Sequence, residues 1–246
     1  MFRSLIYSLL ITTALPVMAV FAETHTVPTY RAVYDIRYKN RLVGESEITV
    51  IKNQTNGAYI FSSTSNTTGL LGLIAPKTLV ETSEFLYNHN YIEPQRYTLE
   101  DSRRSGNDSY SVSFNWDKNI AITTVNNQVT QSTLVPGTLD RGSMQVAVML
   151  EMLEMQQSEP LSHTIRDDDG IRVYSYSLVG EEVIETLLGP ITAKKLIQQR
   201  QGYSRQTLLW LAKDFKYLPV RIEQQKDNEP TGTLEIQSVE WLLANQ

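Results

Sequence analysis

Carboxylates are the groups best placed to do chemistry in this 246-residue chain, because it has no cysteine and only three histidines. Two Asp or Glu side chains facing each other across a cleft can cleave a glycosidic bond, and that chemistry asks only for proximity in space. Glu81, Glu84, Glu100, Asp101 and Asp140 are candidates for such a pair. The simpler reading leaves them on solvated outer faces, with Asp140 as a helix cap. Asp167-Asp168-Asp169-Gly170 gathers carboxylates as a calcium loop does, yet no glutamate closes the twelve-residue pattern. A solvated hairpin turn accounts for it better.

The remaining catalytic types are poorly represented. No two histidines stand one helical turn apart, as a metal motif requires. His25 falls near the N-terminus, His89 sits between Asn88 and Asn90 in a turn, and His163 alternates with Leu161 and Ile165 and so faces inward. A Gly-x-Ser-x-Gly elbow is absent. Without cysteine there are no disulfides, thiolate metal sites, thiol nucleophile or lipid-modified N-terminal cysteine. The 22 basic and 27 acidic residues are interspersed with no basic tract, which argues against a nucleic-acid partner. No catalytic residue, metal ligand or cofactor is assigned on this basis.

Apolar recognition has more material. Met144, Met149, Met152 and Met155 fall in one helical stretch, and flexible thioethers either fill an irregular core or line an adaptable pocket. Thr68-Gly69-Leu70-Leu71-Gly72-Leu73-Ile74-Ala75-Pro76 reads as a loop or single helical turn that presents its leucines. Leu70, Leu71, Leu73, Ile74, Met149, Met152 and Leu153 are therefore the expected contacts of a lipid or an apolar partner segment.

The elements that must position these residues are mostly strands. Alternation at period two marks Tyr30–Tyr38, Leu42–Lys52, Ala58–Ser65, Lys77–Tyr87, Tyr91–Asp101, Ser109–Trp116, Ile120–Val125 and Gln128–Leu134. It returns at Leu161–Ile165, Ile171–Leu178, Val183–Leu188, Ile191–Gln199, Gln206–Ala212, Leu218–Gln225 and Thr233–Leu242. In the first strand Tyr30, Ala32, Tyr34, Ile36 and Tyr38 share one face, opposite Arg31, Asp35 and Arg37. Lys39-Asn40 and Asn126-Asn127 suit tight turns, and Gly44 suggests a bulge or a close backbone approach. The one helix begins after its N-cap Asp140 and runs to about Gln156, apolar nearly all round and so buried nearly all round. The fold expected is mainly β: one strongly curved antiparallel sheet, an incomplete barrel, wrapped around a long apolar helix.

The N-terminus carries Arg3, an apolar run from Leu5 to Phe21 broken at Pro16, and then Ala22. This is the pattern of a secretory signal peptide spanning residues 1–22, with cleavage before Glu23; a cut after Ala19 is the second choice, and an uncleaved anchor the alternative. Residues 23–246 then form a single exported domain with no later membrane-spanning run, periplasmic in a Gram-negative bacterium.

Three stretches carry a family resemblance. The opening Tyr30-Arg31-Ala32-Val33-Tyr34 hairpin with Val43-Gly44, the Asp140-x-x-Ser143 helix start, and the pair Leu209-Trp210-Leu211 with Leu218-Pro219-Val220-Arg221-Ile222 resemble a bacterial exported family, domain of unknown function 3108. The last pair is also similar to a strand pair in LolA/LolB-type periplasmic lipoprotein carriers. Those fold as an incomplete barrel closed by helices over an apolar cavity, whereas this chain has one helix in place of several lid helices. The resemblance implies fold and compartment and brings no catalytic residues. The expected function is a non-catalytic periplasmic binding or carrier protein. A glycan-binding protein or carboxylate-dependent glycan hydrolase, favoured by thirteen tyrosines and three tryptophans, and an envelope assembly factor docking through edge strands are the alternatives.

Overall fold

A computed structural model describes residues 26–68, 77–102, 108–154, 161–227 and 229–243. Fourteen strands follow in chain order: β1 Tyr30–Tyr38, β2 Arg41–Lys52, β3 Tyr59–Thr67, β4 Thr78–Asn88, β5 Tyr91–Asp101, β6 Asp108–Asn115, β7 Ile120–Val125 and β8 Gln128–Thr133. After helix α1 (Arg141–Glu154) come β9 Leu161–Asp167, β10 Gly170–Thr186, β11 Gly189–Arg200, β12 Arg205–Ala212, β13 Leu218–Lys226 and β14 Glu229–Trp241. All belong to one antiparallel sheet ordered β8-β7-β6-β5-β4-β3-β2-β1-β14-β13-β12-β11-β10-β9. The chain meanders from β1 out to one edge, crosses by way of α1 to the other edge, and meanders back until β14 pairs with β1.

The hairpins follow from local chemistry. Lys39-Asn40, His89-Asn90 and Asn126-Asn127 each close a two-residue loop with both residues at positive φ. Such loops match the right-handed twist of the flanking strands, and asparagine tolerates the conformation best after glycine. Gly44 of β2 is a close approach, as expected: a Cβ there would overlap the Asn66 carbonyl oxygen of β3 and meet Ile36. Gly44→Ala must push two paired backbones apart, and a loss of about 2 kcal/mol in urea unfolding is the expected result. A variant within ~0.5 kcal/mol of wild type would show that the sheet gives way freely at this point.

Three details depart from the sequence reading. The two strands expected over Ile171–Leu178 and Val183–Leu188 are one strand, β10, because a register shift between Leu178 and Gly180 absorbs the irregularity without ending the ladder. Tyr38 does not share the burial of Tyr30, Ala32 and Tyr34; it is half-exposed at the strand end, beyond the core. Asp35, on the face opposite the tyrosines with Arg31 and Arg37, is buried beneath Arg37 and Gln237, whose side chains donate hydrogen bonds to it.

The helix starts where the sequence places it. Asp140 Oδ1 accepts from the backbone N–H groups of Gly142 (2.9 Å) and Ser143 (2.8 Å), and Ser143 Oγ accepts in return from Asp140 N. Gly142 seats the first turn directly on the sheet: a Cβ there would lie 2.7 Å from Phe61 of β3 and from Ser83 of β4. Nine of its 14 residues are buried. Val146, Met149 and Leu150 join the cluster centred on Tyr30, Phe61, Phe85 and Trp210. Met144, Ala147, Val148 and Met152 join a second around Ile165, Tyr176 and Leu211. The helix spans 14 residues, Arg141–Glu154, against an expected run to about Gln156; residues 155–160 lie outside the described residues.

No ladder joins β8 to β9, so the sheet is not closed. Side chains span the seam instead: Tyr110 of β6 donates to Asp167 of β9 at 3.0 Å, and Arg166 of β9 donates to Thr123 of β7 at 2.9 Å. Leu139, just before α1, forms a single parallel bridge with Ile165. No helix among the described residues is long and apolar enough to cross a membrane.

Candidate functional site

The apolar candidates divide between helix and loop. Met149 and Met152 are buried on α1; Met149 Sδ accepts a weak hydrogen bond from the Tyr30 hydroxyl at 3.8 Å. Leu153 is only half-buried and, with Ile92 of β5, packs against both apolar clusters. Leu70, Leu71, Leu73 and Ile74 lie outside the described residues.

A polar cluster surrounds the first turn of α1. Glu81 and Ser83 alternate on β4 and both point inward, Ser83 buried and Glu81 half-buried. The Ser83 hydroxyl donates to Asp140 Oδ2 at 2.8 Å, and the Tyr97 hydroxyl of β5 donates to Glu81 at 2.5 Å. Arg141 reaches the other way and donates to Asp167 Oδ2 at 2.8 Å. Asp167 Oδ1 receives the Tyr110 hydroxyl and the backbone N–H of Asp168. Tyr97 and Tyr110 lie against each other with ring centroids 5.4 Å apart.

Burial sets the protonation of these acids. It drives the Asp140 carboxyl up to about 7, against the opposing hydrogen bonds from Ser143 and Ser83. The Glu81 carboxyl also rises through burial, with the Tyr97 hydroxyl and Arg141 pulling it back. Asp167 is equally enclosed, but the Arg141 guanidinium, the Asp168 N–H and the Tyr110 hydroxyl together hold it below the usual carboxylate range.

Of the five carboxylates in the hydrolase candidate set, the fold brings Glu81 and Asp140 into electrostatic contact. Glu84 accepts from Asn56 at the surface, Glu100 is exposed, and Asp101 is buried at the end of β5. Asp140 has both oxygens engaged by the helix cap and Ser83, an arrangement built to hold a helix rather than to move a proton onto a substrate. The acidic turn also differs from the solvated hairpin expected. Oxygens of Asp167, Asp168 and Asp169 lie within 4.8 Å of one another, near enough to share a cation, yet both Asp167 oxygens are committed to Arg141, Tyr110 and Asp168 N. The turn proper is Asp168-Asp169, and Asp167 belongs to the interior.

His89 occupies its turn at φ 50°. His163 faces inward, as its alternation indicates, with Nε2 3.1 Å from Glu151 of α1 and its ring edge-on to Tyr176. His25 lies outside the described residues. Sequence reasoning missed Tyr97, Tyr110 and Arg141. Alternation puts the tyrosines on inner faces but cannot say that two strands and a helix start converge there.

The comparisons with known proteins agree with this architecture. No curated protein matches the chain in sequence. A solved structure described as a beta-barrel-like protein of domain of unknown function DUF1849, from Brucella abortus, is similar with a TM-score of 0.58 at 7% identity. The match covers 88% of this chain and 98% of that one, and at such identity it speaks for the fold alone. That β-barrel-like fold is consistent with the LolA/LolB-type likeness of the sequence. The family described as protein of unknown function (DUF3108) matches residues 33–237, most of the chain including every described strand but the outer ends of β1 and β14. The chain therefore belongs to the DUF3108 family.

Proposed function

We propose that this is a periplasmic, non-catalytic binding or carrier protein, exported by cleavage before Glu23, that takes an acyl lipid or an apolar partner segment of the cell envelope. The supporting observation is the half-buried pair Leu153 and Ile92, which adjoins both apolar clusters beside a helix that buries Met144, Met149 and Met152 in them. Thioether packing rearranges at low cost, so an acyl chain entering at Leu153 can displace Met152 and Met149, losing only the weak bond from the Tyr30 hydroxyl to Met149. The apolar run Leu70 to Ile74 supplies the rest of the proposed contact.

Native mass spectrometry of protein prepared from periplasm without detergent tests this reading, followed by organic extraction. The expected spectrum shows a chain beginning at Glu23 with a co-purifying acyl lipid. Leu153→Asp and Leu71→Asp should each abolish retention while the circular dichroism spectrum stays native. A clean apo mass overturns the carrier reading and moves the weight to envelope glycans.

A further inference from the structure

The β9–β10 turn draws several guanidiniums to itself. Arg172 of β10 and Arg200 of β11 are diagonal neighbours on one sheet face, since Tyr174 pairs with Arg200 in the register. Both turn toward Asp169, which pairs with Arg172 and lies 4.0 Å from Arg200. Arg166 joins them from β9: a Cβ on Gly170 would sit 3.5 Å from Arg172 Nη1 and 3.8 Å from Arg166 Nη1. Among the described residues, Arg172 and Arg200 thus share the Asp169 carboxylate. Asp167 is taken by Arg141, and Asp168 is exposed on the turn beside Asp169. The Nε atoms of Arg166, Arg172 and Arg200 have no hydrogen-bond partner among the described residues.

The site has a fixed wall and an opening. The Arg200 guanidinium lies 3.9 Å from the Tyr203 ring centroid, which holds its plane. Arg166 is anchored by its bond to Thr123. The Arg172 and Arg200 side chains keep 26% and 18% of their surface exposed. Asp169, by contrast, is 56% exposed on the turn.

We propose that this cluster binds a phosphate group, with Arg172 and Arg200 as its direct ligands, Arg166 as the supporting charge and Asp169 as the internal stand-in that the phosphate displaces. A tetrahedral dianion offers enough oxygens for several forked guanidiniums at once, whereas one carboxylate satisfies only part of their donors. The phosphate comes either free or as the headgroup of a phospholipid. The site uses no residue of the proposed apolar contact, so it stands or falls separately from the carrier reading.

Isothermal titration of the processed full chain at low ionic strength, with inorganic phosphate in one arm and short-chain phosphatidic acid below its micellar concentration in the other, decides the matter. Saturable binding is expected, weakened about tenfold or more by Arg172→Gln and by Arg200→Gln. Asp169→Asn, an exposed turn substitution, should tighten it several-fold by removing the internal competitor. Binding in both arms assigns a general phosphate site, and binding of the lipid alone assigns a headgroup site. No binding in either arm overturns the proposal, as does an Asp169→Asn protein that binds no more tightly than wild type.

Discussion

Asp167→Ala should lower the unfolding free energy by about 3 kcal/mol, a large effect for a residue at the end of an edge strand. The substitution strands the Arg141 guanidinium and the buried Tyr110 hydroxyl together, because both spend their hydrogen bonds on this carboxylate. Removing one member of a buried ion pair costs about 3–5 kcal/mol, and the partial exposure of Arg141 places this case at the lower end. Asp167→Asn keeps an acceptor for Tyr110 and should lose only about half as much. Because these bonds bridge the unpaired edges of the sheet, amide exchange in β9 should accelerate in the alanine variant more than in β2 or β3. Urea denaturation supplies the first number; a midpoint unchanged from wild type would mean that the seam is held by the Leu139–Ile165 bridge and apolar contacts instead.

Acidification from pH 7 to pH 4 should stabilise the protein, opposite to the behaviour of domains dominated by salt-bridged carboxylates. Burial holds the Asp140 carboxyl near pH 7 in the folded chain, above its value of 3.8 in the unfolded one. A folded state that binds a proton more tightly gains stability wherever that proton is bound. The contribution is complete below pH 3.8 and disappears as pH rises through about 7. An upper bound on the gain is about 4 kcal/mol. Glu81, raised by burial, acts in the same direction. Asp167, held low, opposes it only below the ordinary carboxylate range, where its ion pair is lost. Asp140→Asn retains the oxygen that caps Gly142 and Ser143 but has nothing to titrate at this position, so its gain on acidification should shrink to the part that Glu81 supplies. Urea midpoints at pH 7, 5.5 and 4 for the two proteins make the comparison. A wild type that weakens steadily on acidification would rule out Asp140 as the titrating group.

Local rules carried much of the fold. The first hairpin was legible because alternation from Tyr30 onward and the Lys39-Asn40 pair each depend on neighbours a few residues apart. Asp140 was legible as a cap because capping is a conversation among four consecutive residues. Gly44 announced a close approach but not its partner. The misread positions share a cause. Asp35 is buried by Gln237, 202 residues away, and Asp167 by Tyr110, 57 residues away. An alternating pattern assigns such acids to solvent because it has no knowledge of what arrives from elsewhere.

Composition, alternation and turn residues are properties of short windows, and they were enough to specify a β-rich chain with a helix after Asp140. The meeting of β1 with β14, the seam between β6–β7 and β9, and the convergence of Glu81, Asp140 and Asp167 around one helix turn arise from long-range closure. Their energies come from desolvation and from pairing across loops that the local pattern does not encode. Arg166, Arg172 and Arg200 illustrate the division best. In the sequence they are three ordinary basic residues on strands; the register of β10 and β11 turns Arg172 and Arg200 toward one carboxylate, and Arg166 arrives beside them from β9.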